Sequence, residues 1–221
     1  MALIMHAERR NRNVYKTLIV AEYVGVEVKI CDNFKIGVSN KSPEFLNMNP
    51  LGQFPVLETP DGPLFESNAI ARYVARRSSL FGSSPIEYGQ IEQWIDFSSY
   101  SIDANLRRLI LLRVGDCPYN KYVEKFLIAE VKRGLCVLNT YLESHTNFLV
   151  GDSVTLADII TTCNLQLGFQ LLMPKSFTSE YPHVETYFWN MINQPNFSKI
   201  IGEFKQLDAT LAFPSQKKPE C

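Results

Sequence analysis

The spacing of apolar residues divides the chain into two parts. Over residues 1–79, short alternating or β-branched runs lie between stretches whose apolar residues recur at helical spacing. This pattern predicts an α/β unit with a mixed sheet, in the order strand, helix, strand, helix, strand, strand, helix. The predicted strands are "ALIMHA", "VEVKIC", "FPVLET" and "PLFES", and the predicted helices are "NVYKTLIVAEYVG", "SPEFLNM" and "NAIARYVARR".

From Pro85 onward, strand signals nearly vanish and helical spacing dominates. The helical spacing of apolar residues predicts two long amphipathic helices, and it is more regular over 120–144 than over 86–112. A later segment is apolar nearly all round, which predicts a buried central helix. Two further helices each open at a proline. In chain order, the predicted helices span residues 86–112, 120–144, 155–172, 182–193 and 195–207.

The change of period marks a boundary between two domains. The stretch "SSLFGSSP" at the change is rich in Ser, Gly and Pro, a composition typical of linkers. The last residues have no period and are expected to be flexible. We predict an α/β domain at 1–79, a linker at 80–85, an all-helical domain at 86–208 and a flexible tail at 209–221.

Composition and charge exclude several classes of function. The 221 residues include 22 basic and 23 acidic side chains, for a formal net charge of −1. No global field therefore favours nucleic acid or an anionic membrane as a partner. No window reaches the roughly 18 apolar residues of a membrane span. The short apolar run at the N-terminus precedes its basic cluster, the reverse of a secretory signal. We therefore expect a cytoplasmic protein.

The cysteines are odd in number, widely spaced and without a C-x-x-C pair. A disulfide scaffold, a zinc site or a dithiol oxidoreductase would need paired spacing. We interpret the cysteines as reduced thiols, mostly small core residues. No histidine has metal-like spacing to another or to a cysteine, so no metal site is predicted. The residues are Cys31, Cys117, Cys136, Cys163, Cys221, His6, His145 and His183.

Pro55 follows Phe54 inside a predicted strand, where a proline removes a hydrogen-bond donor from the ladder. It is either an ordinary edge proline or a cis-proline in a special turn. A cis bond would turn the amide and carbonyl of Phe54 outward, free to pair with an extended ligand backbone. The residues alone favour the edge proline and leave the other interpretation open.

Glu66 and Ser67 stand where the second strand of the hairpin meets a helix. Ser67 is predicted to cap that helix, and the unpaired N–H groups and dipole beside a cap suit a small carboxylate. Glu66 would then hold an ammonium group, so the pair would bind the two charged ends of an α-amino acid. Taken alone, a plain cap beside a solvated carboxylate is the favoured interpretation.

Two further motifs have mainly structural interpretations. Thr155 and Asp158 precede an apolar run and are predicted to form a capping box, which is a folding device. The segment "RRNRN", from Arg9 to Asn13, lies in the first strand–helix loop. It is either a solvated charge run or a local positive site that favours an anionic ligand or an acidic partner.

Taken together, these motifs resemble the glutathione transferase superfamily. "NPLGQFPVLE", "LFESNAIARYV" and "TLADI" carry the resemblance, in the order and at the separations of that family. Within it, "TPDGPLFESNAIARYV", "FLVGDSVTLADI" and "YFWNMINQPNF" resemble the N-terminal domain of the elongation factor 1 gamma family in a plant-like form. The resemblance implies a thioredoxin-like α/β domain followed by an all-helical domain. We expect this chain to be the transferase-like domain alone, without the Lys-rich linker and C-terminal domain of that family.

The resemblance also implies a glutathione site. Pro55 stands where the family keeps a cis-proline, and Phe54 stands where the backbone pairs with the cysteinyl part of glutathione. Glu66 and Ser67 match the pair that holds the γ-glutamyl end.

Other implied features concern the rest of the ligand and the assembly. Lys41 and Gln53 match positions that hold the glycine end in related plant-type transferases. An acceptor pocket would lie along the first helix of the second domain, near Asp103 to Arg108. Family members usually pair the α/β domain of one subunit with the helices of the other, so a homodimer is one expected assembly.

The chain departs from the family pattern at the group that activates the thiol. Active transferases place a Ser, Tyr or Cys at the end of the first strand or the start of the first helix. Here that stretch reads "HAERRNRNV", and Tyr15 falls inside the predicted helix. The weak substitutes are Arg10, which would lower a thiol pKa electrostatically, and Asn11 or Asn13, which would donate a hydrogen bond. Loss of a positioned group costs roughly 10²–10⁴ in rate, so we expect glutathione binding with slow or absent conjugation.

Two functions therefore compete. The first is a scaffold domain of the elongation factor 1 complex, which anchors the guanine-nucleotide exchange subunit and carries out no chemistry. The alternative is an active glutathione transferase or peroxidase, favoured by the apparent completeness of the glutathione-binding set.

Overall fold

The computed structural model describes residues 3–145 and 147–208. Its α/β part contains one mixed sheet, as the sequence predicts, with strand order β2-β1-β3-β4. β1 is parallel to β2 and antiparallel to β3, and β3 is antiparallel to β4. The elements of this part are β1 (Leu3–His6), α1 (Arg12–Val24), β2 (Val28–Ile30), α2 (Pro43–Met48), β3 (Val56–Thr59), β4 (Gly62–Phe65) and α3 (Ser67–Ala75).

The first helix, α1, has the start, end and buried face that its sequence predicts. The side chain of Asn11 accepts a hydrogen bond from the backbone N–H of Asn13, and Gly25 ends the helix with a φ of 68°. Val14 and Leu18 are buried at helical spacing. The helix packs against both α3 and α7 (Leu156–Leu171), so it joins the sheet domain to the helical domain.

The remainder of the described chain is helical, as predicted. A 3₁₀ turn at Ser79–Phe81 overlaps the start of the predicted linker at 80–85 and buries Leu80. Pro85 opens the first helix of the second part behind the capping residue Ser84. The elements are α4 (Pro85–Phe97), a π-helical segment (Ser98–Asp103), α5 (Ala104–Val114), α6 (Lys121–Ser144), α7 (Leu156–Leu171), α8 (Lys175–Thr178), α9 (Pro182–Ile192) and α10 (Pro195–Ile201).

The single helix predicted over 86–112 is interrupted. Six residues, Ser98–Asp103, form a π-helix between α4 and α5. A π turn is wider than an α turn, so it shifts the apolar face and breaks any single helical period. This explains why the period fits this stretch less well than it fits α6.

Two other predictions were wrong. The last helix ends at Ile201 rather than at residue 207, because Gly202 takes a positive φ of 75°. The cysteines are not mostly core residues: Cys163 is buried, but Cys117 and Cys136 are exposed. The predicted flexible tail at 209–221, with Cys221, lies outside the described residues.

The buried central helix is α7, whose residues from Leu156 to Gln166 are all buried. Its start contains a capping box formed by Thr155 and Asp158. The carboxylate of Asp158 accepts four hydrogen bonds: from Leu149 N (2.9 Å), Thr155 N (2.8 Å), Thr155 Oγ1 (2.7 Å) and the Tyr187 hydroxyl (2.9 Å). Burial raises the pKa of Asp158, and these four hydrogen bonds act against that rise.

Candidate functional site

A cleft of about 1000 Å³ runs between the two domains. The α/β domain contributes the loop after β1, the start of α1 and the loop before β3. The helical domain contributes α5, α7 and the segment that follows α10. The lining residues are Arg10, Asn11, Arg12, Asn13, Tyr15, Asn40, Gly52, Gln53, Phe54, Arg107, Gln166, Leu167, Gln170, Ile201, Gly202, Glu203, Phe204 and Lys205.

Two buried asparagines hold the loop before β3 in place. Asn40 Nδ2 donates to the Gly52 carbonyl at 2.7 Å, and Asn49 Nδ2 donates to the Gln53 carbonyl at 2.7 Å. Gly52 has a φ of 63°, and a Cβ there would lie 2.9 Å from the Asn40 carbonyl oxygen. Only glycine fits this position without displacing the backbone of Asn40.

The Phe54–Pro55 peptide bond is cis. The ring of Phe54 is half-buried and meets the ring of Phe34 edge-on, with centroids 5.4 Å apart. Phe54 lines the cleft beside Gln53.

The polar side chains at the start of α1 mostly have partners within the protein. Asn11 caps the helix, and Asn13 Oδ1 accepts from the Ser67 hydroxyl at 3.4 Å. Arg12 Nη1 lies 2.5 Å from Asp103 Oδ1, and both side chains are largely buried. Arg10 is exposed, with no ion pair or hydrogen bond to any residue that the structure describes. Of the exposed charged residues Glu8, Arg9 and Arg10 in this loop, Arg10 is the one that lines the cleft.

The predicted cap at Ser67 is wrong by one residue. Glu66 occupies the cap position with a φ of 70°, and the Ile70 amide makes the first helical hydrogen bond, to the Glu66 carbonyl, at 2.9 Å. No side chain caps the helix. Ser67 is the first helical residue, so its hydroxyl points across to Asn13 instead of back along its own helix.

The structure brings together only part of the predicted site. Arg10, Asn11, Asn13, Gln53 and Phe54 all line the cleft. The remaining predicted residues are outside its lining: Lys41, Pro55, Glu66, Ser67, Thr155 and Asp158. Of these, Ser67 adjoins the cleft through its contact with Asn13, whereas Thr155 and Asp158 belong to the start of α7.

Several lining residues are missed by the sequence reasoning, among them Tyr15 and Gln166. Tyr15 is half-buried in the cleft, and burial raises the pKa of its hydroxyl. Arg107 lies in the stretch Asp103 to Arg108 where an acceptor pocket is predicted, whereas Gln166 comes from α7, far from the first loop in sequence. One signal was available: Gln166 and Gln170 are two amide residues four positions apart on one helix, so they share one face.

A buried lysine lies beneath the cleft on α1. Lys16 is 3% exposed, and its Nζ donates to Asn68 Oδ1 at 3.0 Å. Burial, helped by the charge of Arg12, lowers its pKa to about 8, although Asp103 acts in the opposite direction. The Asn68 amide donates in turn to Ser99 Oγ at 3.0 Å, so this network crosses the domain boundary.

Other kinds of site have little support. Within 3–145 and 147–208, no cluster of three or more His, Cys, Asp or Glu side chains is arranged to hold a metal ion. His6 Nε2 instead lies 2.7 Å from Glu58 Oε1, on the neighbouring strand. None of the described helices is both long enough and apolar enough to cross a membrane.

Family models match most of the chain. Residues 1–76 match the model for the glutathione S-transferase N-terminal domain, and residues 109–195 match that for the C-terminal domain. Elongation factor 1-gamma 3 of Oryza sativa subsp. japonica is 59% identical over 99% of this chain and 52% of its own length. The chain thus spans about half the length of the curated relatives that it matches.

Solved structures share the fold. The GST-like domain of elongation factor 1-gamma from Saccharomyces cerevisiae has a TM-score of 0.82 at 18% identity, covering 97% of this chain and 99% of that one. A glutathione transferase of Phanerochaete chrysosporium, solved with oxidized glutathione, has a TM-score of 0.78 at 24% identity and covers 90% and 94%. The fold, the two family models and the plant relatives together show that the chain belongs to the glutathione transferase superfamily and resembles the transferase-like part of elongation factor 1-gamma.

Proposed function

We propose that this domain is a scaffold of the elongation factor 1 complex, which anchors the guanine-nucleotide exchange subunit during translation in the cytoplasm. The observation that carries the proposal is the identity of 56–59% with plant elongation factor 1-gamma proteins across nearly the whole chain. This similarity extends across nearly the whole domain, so we expect the same partner to bind.

The domain is also proposed to bind glutathione in the cleft. Three observations support this: Gln53 and Phe54 line the cleft, Asn13 lines it too, and the Ser67 hydroxyl donates to Asn13. Glu66 and the uncapped start of α3 are close in sequence to that contact, and the N–H groups of a helix start suit a carboxylate. The Phanerochaete chrysosporium relative was solved with oxidized glutathione.

Slow or absent conjugation is proposed because the usual thiol-activating hydroxyl or thiol is missing before α1. The side-chain oxygens of Asn11 and Asn13 accept hydrogen bonds within the protein, which leaves only their neutral NH2 groups as weak donors, and Arg12 is paired with Asp103. The exposed Arg10 would attract a thiolate only through a solvent-screened charge, which is a weak effect.

One observation favours the alternative, an active transferase or peroxidase. Tyr15 lines the same cleft, and its phenolic O–H is a hydrogen-bond donor at neutral pH. A donor aimed at the sulfur of glutathione would favour the thiolate.

Two experiments separate these functions. In the first, the purified domain is mixed with the exchange subunit, and a plant transferase of the same fold but outside this complex serves as control. The scaffold function is supported if this domain co-elutes stably with the exchange subunit and the control transferase does not. It is contradicted if this domain does not co-elute with the exchange subunit.

In the second experiment, conjugation of glutathione to 1-chloro-2,4-dinitrobenzene is compared among the wild type, Arg10→Gln, Asn11→Ala and Tyr15→Phe. Turnover at ordinary transferase rates that is lost in Tyr15→Phe would favour the enzyme.

A further inference from the structure

We propose that Ser79, at the junction between the two domains, is a phosphorylation site for a serine/threonine kinase that selects basic residues before its target. Neither the scaffold role nor the glutathione site is needed for this modification. In the reaction, Ser79 Oγ forms a bond to the γ-phosphorus of ATP while the bond from that phosphorus to the bridging oxygen breaks. ADP leaves, and the hydroxyl proton passes to a base of the kinase.

The charge pattern before Ser79 suits recognition by such a kinase. The segment "RRSSLF" places Arg76 and Arg77 three and two positions before Ser79, and it places the apolar Leu80 directly after it. A kinase that selects basic substrates binds guanidinium groups in carboxylate-lined subsites, because guanidinium and carboxylate form bidentate pairs. Ser83, another exposed serine of this stretch, has no basic residue two or three positions before it. The pattern therefore selects Ser79.

The structure distinguishes Ser79 from the serine that precedes it. Ser78 is half-buried, and its hydroxyl donates to the Ala75 carbonyl at 2.6 Å and accepts from the Leu80 amide at 3.3 Å. Ser79 is exposed, and its hydroxyl has no hydrogen-bond partner among the described residues. Of the two serines, Ser79 is therefore the one that can react without losing a hydrogen bond within the protein.

The two arginines are also accessible to a kinase. Both are exposed, and neither forms an ion pair with any residue that the structure describes. Arg76 Nη1 donates to the Tyr73 carbonyl at 2.6 Å, and the Arg76 guanidinium lies 3.8 Å from the centre of the Tyr73 ring. A cation–π contact at an exposed site is weak, so Arg76 can exchange it for a carboxylate of the kinase.

The backbone of this segment is close to the extended shape of a bound substrate. Arg76 has a φ of −51° and a ψ of 137°, and Ser78 has a φ of −113° and a ψ of 165°. Arg77, between them, has a φ of 65°, a left-handed value whose strain is relieved when the segment extends. The main obstacle is Leu80, which is only 4% exposed and must leave the core. We therefore expect modification to proceed through local opening of the junction.

The test is phosphorylation of the folded full chain by ATP and the catalytic subunit of cyclic-AMP-dependent protein kinase, which selects arginines at these positions. Mass spectrometry counts and locates the phosphates, and the synthetic peptide "ARRSSLFG" is the reference substrate. Because Leu80 must leave the core, the folded chain should react about 10- to 100-fold more slowly than the peptide. A folded chain that is unmodified, or slower than this range, overturns the proposal.

Matched variants locate the site and test its recognition. Ser79→Ala should abolish phosphate incorporation, whereas Ser83→Ala should retain it. Arg77→Gln should lower the rate at least about tenfold, because it removes a charge-assisted pair with the kinase. Arg108→Gln, which changes an exposed arginine on α5, should leave the rate unchanged. Phosphate retained in Ser79→Ala, or equal rates in the two arginine variants, overturns the proposal.

A further variant separates local opening from unfolding of the whole chain. Asp158→Ala removes the acceptor of four hydrogen bonds at the start of α7, so it raises the population of fully unfolded chains. Modification through local opening of the junction should proceed at the wild-type rate in this variant. A rate that rises about 100-fold, in proportion to global unfolding, would mean that only unfolded chains react and would overturn the proposal.

Discussion

Arg12 of α1 and Asp103 of the π-helical segment form an ion pair across the domain boundary, with Nη1 and Oδ1 2.5 Å apart. The contact is close without being a well-aligned hydrogen bond. Both side chains are less than one-fifth exposed, so water screens the pair poorly. The pair therefore ties the first helix of the α/β domain to the helical domain directly beneath the cleft.

A double-mutant cycle should detect the interaction between Arg12 and Asp103. For Arg12→Gln and Asp103→Asn we expect a coupling free energy of about 1–3 kcal/mol in urea unfolding, because each single variant leaves the other charge buried and unpaired. Lys132 and Glu180 are a matched control at 3.0 Å, since both are about half exposed. That pair should couple by less than about 0.5 kcal/mol. Equal coupling in the two cycles would argue against a buried tie.

The buried Lys16 predicts a pH dependence of stability. Its pKa is about 8 in the folded protein and 10.5 when exposed, so between these values the unfolded chain holds a proton that the folded chain has lost. Unfolding must take up that proton, so the free energy of unfolding rises with pH in this window. Relative to Lys16→Met, the wild type should gain up to about 1.4 kcal/mol per pH unit from pH 8 to 10.

Chemical denaturation at each pH measures this gain. Lys132→Met is the control, because the hydrogen bond from Lys132 to Glu180 raises the pKa of Lys132 and moves its titration above the window. The difference in free energy of unfolding between wild type and Lys16→Met could instead stay constant from pH 8 to 10. That result would show that Lys16 is hydrated in the folded protein.

Gly52→Ala tests the loop that presents Phe54. Both Gly52 and Gly151 have positive φ values, 63° and 67°, but only Gly52 has a backbone oxygen 2.9 Å from the position of a Cβ. Gly151→Ala should cost about 1 kcal/mol from the left-handed backbone alone. Gly52→Ala should lower the free energy of unfolding by at least about 1 kcal/mol more than Gly151→Ala does, as measured by thermal unfolding. It should also weaken glutathione binding, as measured by titration. If the two variants lose similar amounts of stability, the loop around Gly52 can shift to accommodate a Cβ.

Ser67→Ala separates a capping role from a ligand role. Since Ser67 is not the cap of α3, its removal should change stability by less than about 0.5 kcal/mol. Ser42 does cap α2, accepting from the Phe45 amide at 3.2 Å, so Ser42→Ala should cost about 1 kcal/mol. Ser67→Ala should instead weaken glutathione binding about tenfold, the loss of one hydrogen bond. The reverse result, a less stable variant with unchanged affinity, would restore the capping interpretation.

Asp158→Ala should be among the most destabilising single changes in the helical domain. It removes the acceptor of four hydrogen bonds and leaves the Leu149 amide and the Tyr187 hydroxyl buried without a partner. The expected loss is about 3 kcal/mol or more in urea unfolding. Asp152→Ala, an exposed carboxylate in the preceding loop, should change stability by less than about 0.5 kcal/mol.

The elements with strong local signals were predictable from the sequence. The capped, periodic helix α1 and the apolar helix α7 appear where expected, because the features that define them lie within the elements themselves. The mixed sheet was also predictable. Its strand order was not, since pairing between β1 and β3 joins residues about fifty positions apart.

The candidate site was harder to predict, because its geometry depends on backbone exceptions and distant contacts. A non-glycine residue with positive φ, such as Glu66, is rare, so the sequence favoured Ser67 as the cap. Arg10, Arg107 and Gln166 line one cleft only because the two domains pack together. The homodimer stays a prediction, and sedimentation of the purified chain measures it directly.

The amides of Asn40 and Asn49 have one further consequence for recognition. They hold the segment from Gly52 to Phe54 through its own carbonyl groups, before any ligand arrives. The protein therefore loses little conformational entropy when a ligand binds, which is the main advantage of a preorganised site. The α/β half of the cleft should behave as a rigid template with the same backbone shape in its free and occupied states.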